Sequence, residues 1–139
     1  MALSARSSLD AADTYPGPRF SIVMRVDETP PELLEAAIAS VVGQTFPDWE
    51  LLVVDDASAS AGVRAVLDAA GDPRVQVQRR SSKGGIVAAW RDALDRASGE
   101  WVTFLGQDDL LAPEALEVCH ERLLGDPECD LLYTDEDRV

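Results

Sequence analysis

The stretch ELLVVDD, residues 50–56, decides the fold. Its apolar residues are consecutive and include two valines, which is typical of a strand that helices cover on both faces. Amphipathic helical patterns flank it at 34–41 and 63–70. A buried strand between two helices predicts a parallel sheet with helices on both of its sides.

The same alternation of strand and helix continues along the chain. Thr29, Pro30 and Glu32 predict that the first helix starts with a capping box. Short turns separate the segments, so we predict an α/β fold with Rossmann-like βαβ units. Strands are predicted at 20–26, 50–55, 74–79, 101–105 and 130–134, and helices at about 30–45, 63–70, 86–97 and 113–124.

Composition limits the size and the partners of the protein. The chain has 139 residues, of which 46% are apolar, so it suits one domain and is short for two. Its 26 acidic and 12 basic residues give a net charge of −14, which argues against nucleic acid as a partner. No apolar run approaches the length of a membrane span. Residues 1–19 are expected to form a flexible leader before a domain at 20–139.

The acidic residues are concentrated near the carboxyl end of the sequence. Residues 106–139 hold 11 acidic and 2 basic residues, and most of these charges are expected on a solvated helix and tail. Cys119 and Cys129 fit no metal or disulfide pattern, which suggests a reducing, intracellular setting. His120 is the only histidine, and its position within a helix favours a packing or surface role over catalysis.

Charged residues follow four predicted strands, at the edge where open parallel sheets bind ligands. These strand ends carry Asp27-Glu28, Asp55-Asp56, Arg79-Arg80 before a glycine loop, and Asp108-Asp109. Carboxylates beside a basic loop suggest a phosphate-bearing ligand with Mg²⁺ or Mn²⁺. Each pair also has a simpler explanation, because Asp and Ser at such positions cap the next helix. The coincidence of several pairs at one edge favours a binding site, although the glycine motifs of P-loop and dinucleotide-binding proteins are missing from the sequence.

Five segments of the sequence form a series. They are FSIVM at 20–24, AIASVVGQTFPDWELLVVDDAS at 37–58, GGIVAA at 84–89, SGEWVTFLGQDDLLAP at 98–113 and YTDED at 133–137. This series resembles the N-terminal, nucleotide-sugar-binding part of family 2 glycosyltransferases, over about residues 20–139. The resemblance implies the GT-A fold, a three-layer sandwich around a mainly parallel sheet.

The resemblance also implies a function and a set of residues. It implies a nucleotide-sugar donor, a divalent metal, Mn²⁺ or Mg²⁺, and a saccharide or lipid-linked acceptor in cell-surface polysaccharide synthesis. The implied location is the cytoplasm, with a peripheral position at the inner face of the membrane as a further possibility that the resemblance allows. Asp55 or Asp56 would contact the base or ribose. The implied donor-binding residues are Asp27, Asp55, Asp56, Lys83, Gly84 and Asp108, and the implied metal ligands are Asp108 and Asp109.

Several positions depart from the family pattern. The first strand ends Arg25-Val26-Asp27-Glu28 where the family usually has Pro-Val-Tyr-Asn, and Lys83 and Arg91 replace asparagines. Gly106 stands in the place of the first acid of the Asp-x-Asp motif, which weakens the expected metal site. The changes together indicate an altered donor or a decayed site.

Length gives a further expectation. Family enzymes continue well past this point, with the acceptor site and the catalytic base in their second half. We therefore expect a truncated donor-binding domain, weak or inactive as it stands, in which no catalytic residue is assigned, the acids at 135–137 included. The alternative is a non-catalytic binding domain with the same fold. A receiver-like domain is disfavoured, because the strands that end at Arg79-Arg80 and Thr134 lack the acceptor Asp and the Lys it requires.

Overall fold

The computed structural model describes residues 2–5 and 16–134, and within them one six-stranded sheet packs against four helices. The strand order is β4-β3-β2-β5-β1-β6. The elements are β1 (Ala2–Ala5), β2 (Phe20–Val26), α1 (Pro31–Val42), β3 (Trp49–Asp55), α2 (Ala61–Ala69), β4 (Val75–Arg79), α3 (Gly85–Arg96), β5 (Trp101–Phe104), α4 (Ala115–Gly125) and β6 (Leu131–Tyr133).

The centre of the sheet is parallel. β2 pairs in parallel with β3 and β5, and β3 pairs in parallel with β4. The register places Val26 opposite Asp55, and Asp55 opposite Arg79. The carboxyl ends of the parallel strands therefore meet at one edge, as the sequence predicts.

Helices cover both faces of this parallel centre. Alternate side chains of β2 and β3 point to opposite faces, so each strand contributes to two cores. Ile22 and Leu51 pack with α1, α2 and α4, whereas Val23 and Leu52 pack with the alanines of α3. All seven residues of β3 are buried, which explains its continuous apolar run. The predicted α/β class and three-layer architecture are confirmed.

The first residues of the chain differ from the expected flexible leader. Ala2–Ala5 form β1, which lies between β5 and β6 and pairs antiparallel with both. Leu3 is fully buried in the larger core, and the burial of this apolar side chain stabilises the short strand against the sheet. The rest of the proposed leader up to residue 15, and the acids at 135–137, lie outside the described residues.

The start of α1 also differs from the predicted capping box. The helix begins at Pro31, Pro30 occupies the N-cap, and no side chain caps the first turn. Pro30 has ψ 127°, because a residue that precedes proline is held in an extended conformation. Thr29 therefore lies one residue too early to cap the helix, which corrects that expectation.

Candidate functional site at the carboxyl edge of the sheet

Asp56 lies at the centre of the carboxyl edge and is fully buried. Its Oδ2 accepts hydrogen bonds from the Arg25 guanidinium at 2.9 and 3.2 Å and from the Gly85 amide at 3.0 Å. Its Oδ1 accepts a hydrogen bond from the Gly84 amide at 2.8 Å and lies 3.2 Å from Nε of Arg80. Burial raises the pKa of Asp56, but the bonds from Gly84, Arg25 and Gly85 outweigh it and hold the pKa below its ordinary value. Asp56 is therefore an ionised carboxylate whose two oxygens both have donors from within the chain.

Asp55 closes the turn that follows β3. Its Oδ1 accepts hydrogen bonds from the amide and the hydroxyl of Ser58, at 3.0 and 2.7 Å, while Oδ2 lies 3.8 Å from Nε of Arg79. Ala57 within this turn has φ 58°, a left-handed conformation that costs energy for alanine. The cap of α2 is Ser60, which accepts a bond from the Val63 amide. Asp55 thus closes the turn before α2 and does not cap the helix, which corrects the simpler explanation of the Asp-Asp pair.

Asp27 and Lys83 form an ion pair across the opening of the site. Nζ of Lys83 donates to Asp27 Oδ1 at 2.8 Å and lies 3.9 Å from Glu28. The hydrogen bond lowers the pKa of Asp27 and raises the pKa of Lys83. The Lys83 side chain is 54% exposed, so a ligand could reach its ammonium group more readily than the buried Asp56. The pair links the loop before α3 to the end of β2.

Gln107 connects Asp27 to the segment that follows β5. Its side-chain amide accepts a bond from the Asp27 amide at 2.8 Å and donates to the Asp27 carbonyl at 3.2 Å. The two bonds fix the backbone beside Asp27. They also place Asp108, the next residue, at the same edge of the sheet.

The charged groups of this edge form two sets of ion pairs, one that includes Asp27 and Asp56 and one around Arg79, and we call them together the edge network. Arg80 bridges Asp56 and Asp92 of α3, and Arg79 bridges Asp55 and Asp68 of α2. The network contains four cations and six carboxylates. Each cation forms an ion pair with at least one of the carboxylates. Its members are Arg25, Asp27, Glu28, Asp55, Asp56, Asp68, Arg79, Arg80, Lys83 and Asp92.

Asp108 and Asp109 are exposed at the turn after β5. Oδ2 of Asp109 accepts a bond from the Gly106 amide at 3.2 Å, which closes the turn and leaves its other oxygen available. Within residues 2–5 and 16–134, no group of three or more His, Cys, Asp or Glu side chains is placed to hold a metal ion. The two carboxylates nevertheless fit Mg²⁺ or Mn²⁺, because such ions often use one or two carboxylates and take further oxygens from substrate phosphates and water.

The structure brings most of the predicted site residues together. Asp27, Asp56, Lys83 and Gly84 are linked by direct hydrogen bonds or through Arg25, with Asp55 adjacent in the chain. Arg25 and Gln107 also contact these residues but had no predicted role, and Arg80, predicted only as part of a basic loop, pairs with Asp56. Arg25 carried a signal, since a lone charge in an apolar strand demands a partner. Gln107 carried none, because its bonds to Asp27 join residues 80 positions apart.

Comparison with known proteins identifies the class. Residues 21–134 match the model of glycosyl transferase family 2, and the chain belongs to that family. The O-antigen biosynthesis protein RfbC of Myxococcus xanthus is 38% identical over 122 residues, which are 86% of this chain and 10% of RfbC.

Solved structures support the same fold. Staphylococcus aureus TarS in complex with UDP-GlcNAc is 25% identical, with a TM-score of 0.65 over 77% of this chain and 31% of that one. A mannosyltransferase of Pyrobaculum calidifontis in complex with GDP-Man and Mn²⁺ is 23% identical, with a TM-score of 0.68 over 85% of this chain and 36% of that one. The GT-A fold predicted from the resemblance is confirmed. The chain spans a tenth of RfbC and about a third of each of these two structures.

No helix within the described ranges is both long enough and apolar enough to cross a membrane.

Proposed function

We propose that this domain binds the nucleotide-sugar donor of a glycosyltransferase that acts in polysaccharide biosynthesis. The observation that carries the proposal is the gathering of Asp27, Lys83, Gly84 and the Asp108-Asp109 pair at the carboxyl edge of the parallel sheet, in a chain of this family. RfbC, named for O-antigen biosynthesis, supports the polysaccharide context, and the UDP-GlcNAc bound to TarS supports the donor class. A saccharide or lipid-linked acceptor follows from that context. With a lipid-linked acceptor, the reaction would take place at the inner face of the cytoplasmic membrane.

A divalent cation fits the charge of the site. The edge network holds more carboxylates than cations, so it cannot neutralise a diphosphate by itself. We propose that Asp108 and Asp109 hold Mn²⁺ or Mg²⁺, which would supply Lewis-acid stabilisation of the diphosphate leaving group when bound. Gly106 in the place of a third carboxylate makes this site weaker than one with three acidic ligands.

The chain's own residues bind and orient the donor in this proposal. Lys83 is the most exposed cation of the edge network and can turn from Asp27 toward a phosphate oxygen. Gln107 holds the backbone at Asp27 and so fixes the floor on which the donor lies. The acceptor site and the base that deprotonates the acceptor are assigned to no residue of this chain.

Calorimetry with UDP and dTDP, with and without Mn²⁺, tests the donor site. We expect binding that requires Mn²⁺ and that disappears in Asp108→Ala. The control is Asp126→Ala, which removes an exposed acid beyond α4 and should bind like the wild type. Absence of binding by either nucleotide at millimolar concentration would overturn the proposal, as would binding that is unaffected by both the metal and Asp108→Ala.

The bonds that Asp56 already makes within the chain favour a second candidate function. In that candidate, a GT-A domain binds a ligand but does not catalyse sugar transfer. Both oxygens of this carboxylate are already occupied, and Gly106 removes a metal ligand. Donor hydrolysis or transfer, measured as release of UDP from UDP-GlcNAc in the presence of Mn²⁺, separates the candidates. Nucleotide binding without UDP release by the longest chain that contains this domain would favour the binding domain.

A further inference from the structure

Arg25 and Asp56 are unequal in their access to a ligand. The Arg25 side chain retains 23% of its exposure, whereas the Asp56 side chain retains none. A molecule that approaches the carboxyl edge at this point meets the guanidinium group first, and the carboxylate lies behind it. A guanidinium group only donates hydrogen bonds, and an ionised carboxylate only accepts them.

The groups that hold Asp56, by hydrogen bonds or, for Arg80, by an ion pair, come from three different parts of the chain. Arg25 belongs to β2, Arg80 follows β4, and the Gly84 and Gly85 amides open α3. Gly84 is held closely, because a Cβ there would lie 2.6 Å from a guanidinium nitrogen of Arg80 and 2.9 Å from Ala88. Asp56 is therefore held by four hydrogen bonds and by its ion pair with Arg80, and because it is fully buried, a ligand N–H cannot reach its oxygens unless Arg25 or the loop moves.

We infer that Arg25 determines what this part of the site recognises: it withdraws the Asp56 carboxylate from the ligand and presents guanidinium donors in its place. The inference rests on the proposed donor site and deepens it. The ring N–H of a base such as uracil would then contribute nothing to binding, while acceptors such as base carbonyl or phosphate oxygens would. Arg25 is a specificity-determining residue in this scheme, and Asp56 is a structural anchor.

A pair of probes that differ only at the ring N–H tests the inference. Calorimetry would compare UDP with 3-methyluridine 5′-diphosphate, both with Mn²⁺. We expect the wild type to bind the two with equal affinity. In Arg25→Met the carboxylate becomes accessible, so UDP should bind about tenfold more tightly than the methylated probe, as one hydrogen bond to a charged group allows. This preference should vanish in the double variant Arg25→Met/Asp56→Asn.

Controls separate recognition from folding. Arg122→Met removes an exposed arginine of α4 and should behave like the wild type. Thermal melting monitored by circular dichroism checks that Arg25→Met folds. If this variant does not fold, the relative affinities of the wild type for UDP and the methylated probe still test the inference. A wild type that binds UDP tenfold more tightly than the methylated probe would overturn the inference, and so would equal affinities in a folded Arg25→Met.

The outcomes also distinguish this inference from the proposed function. If Arg25→Met binds UDP and the wild type does not, the result supports the inference that Arg25 blocks access to Asp56. The same result overturns the proposal that the natural chain binds this donor. Absence of UDP binding in both proteins would overturn both. If the wild type binds UDP much more tightly than the methylated probe, and Asp56→Asn removes that preference, the inference is overturned and the donor-binding proposal is retained.

Discussion

The amide of Gly106 donates a hydrogen bond to Oδ2 of Asp109 at 3.2 Å, and a Cβ on Gly106 would overlap that same oxygen. The absence of a side chain at position 106 and the position of the Asp109 carboxylate against Gly106 thus depend on each other. Because the overlapping atom is the end of a flexible side chain, Asp109 can turn away without movement of the backbone. The turn after β5 therefore has room for a third carboxylate.

Gly106→Asp is expected to strengthen metal binding. The new side chain would displace the Asp109 carboxylate from the turn and add a carboxylate beside Asp108. Affinity for Mn²⁺ rises with the number of charged ligands, and we expect a gain of about tenfold in the presence of UDP. Titration with Mn²⁺ followed by calorimetry measures it. Gly106→Ala displaces Asp109 without adding a ligand, so an equal gain in that variant would contradict the explanation.

Asp56→Ala is expected to destabilise the fold. The change leaves Arg25 and Arg80 without their shared partner and frees the Gly84 and Gly85 amides. We expect a loss of about 3 kcal/mol in the free energy of unfolding, the low end for a broken buried ion pair, because both guanidinium groups retain some exposure. Urea denaturation measures it. Asp68→Ala removes an exposed partner of Arg79 and should cost less than about 1 kcal/mol.

The predictable part of the fold followed from patterns within short segments. The apolar runs at 20–26 and 50–55 became β2 and β3, whereas the helix cap considered for Asp55 is supplied by Ser60. β1 could not be predicted, because its four residues have no periodicity and their partners in β5 lie about a hundred positions away.

The side-chain network was the less predictable part of the site. The parallel sheet predicted from the βαβ pattern brings Asp27, Asp55 and Asp56 to one edge, whereas the strand order and register come from the structure. The pairing of Arg25 with Asp56 depends on the side-chain conformations of residues 31 positions apart. Asp108 and Asp109 as metal ligands remain a prediction. The sequence therefore located the edge of the sheet but not which carboxylates there are accessible.

The stability of the domain is expected to fall in acid, partly through Asp72. Hydrogen bonds from Arg74 lower the pKa of Asp72 from 3.8 to about 2 in the folded chain. A lowered pKa means that the folded state favours the ionised form, so this contribution is complete above pH 3.8 and is lost as the pH falls toward 2. Urea midpoints between pH 6 and pH 2 should decline less steeply in Asp72→Asn than in the wild type. Arg74→Met should flatten the decline as well, and an unchanged slope in both variants would contradict this assignment.

Gly85→Ala is expected to destabilise the loop that holds Asp56. Gly85 has φ +83°, and a Cβ there would meet no atom within 4 Å, so the cost would come from the backbone conformation and not from crowding. We expect a loss of about 1–2 kcal/mol in the free energy of unfolding, since an L-residue is strained at this φ. The matched control is Gly125→Ala at the end of α4, where a Cβ also meets nothing but the φ is outside the left-handed region. Urea denaturation of both variants should show the loss in Gly85→Ala only, and equal effects at the two positions would mean that the left-handed backbone at Gly85 does not constrain the loop.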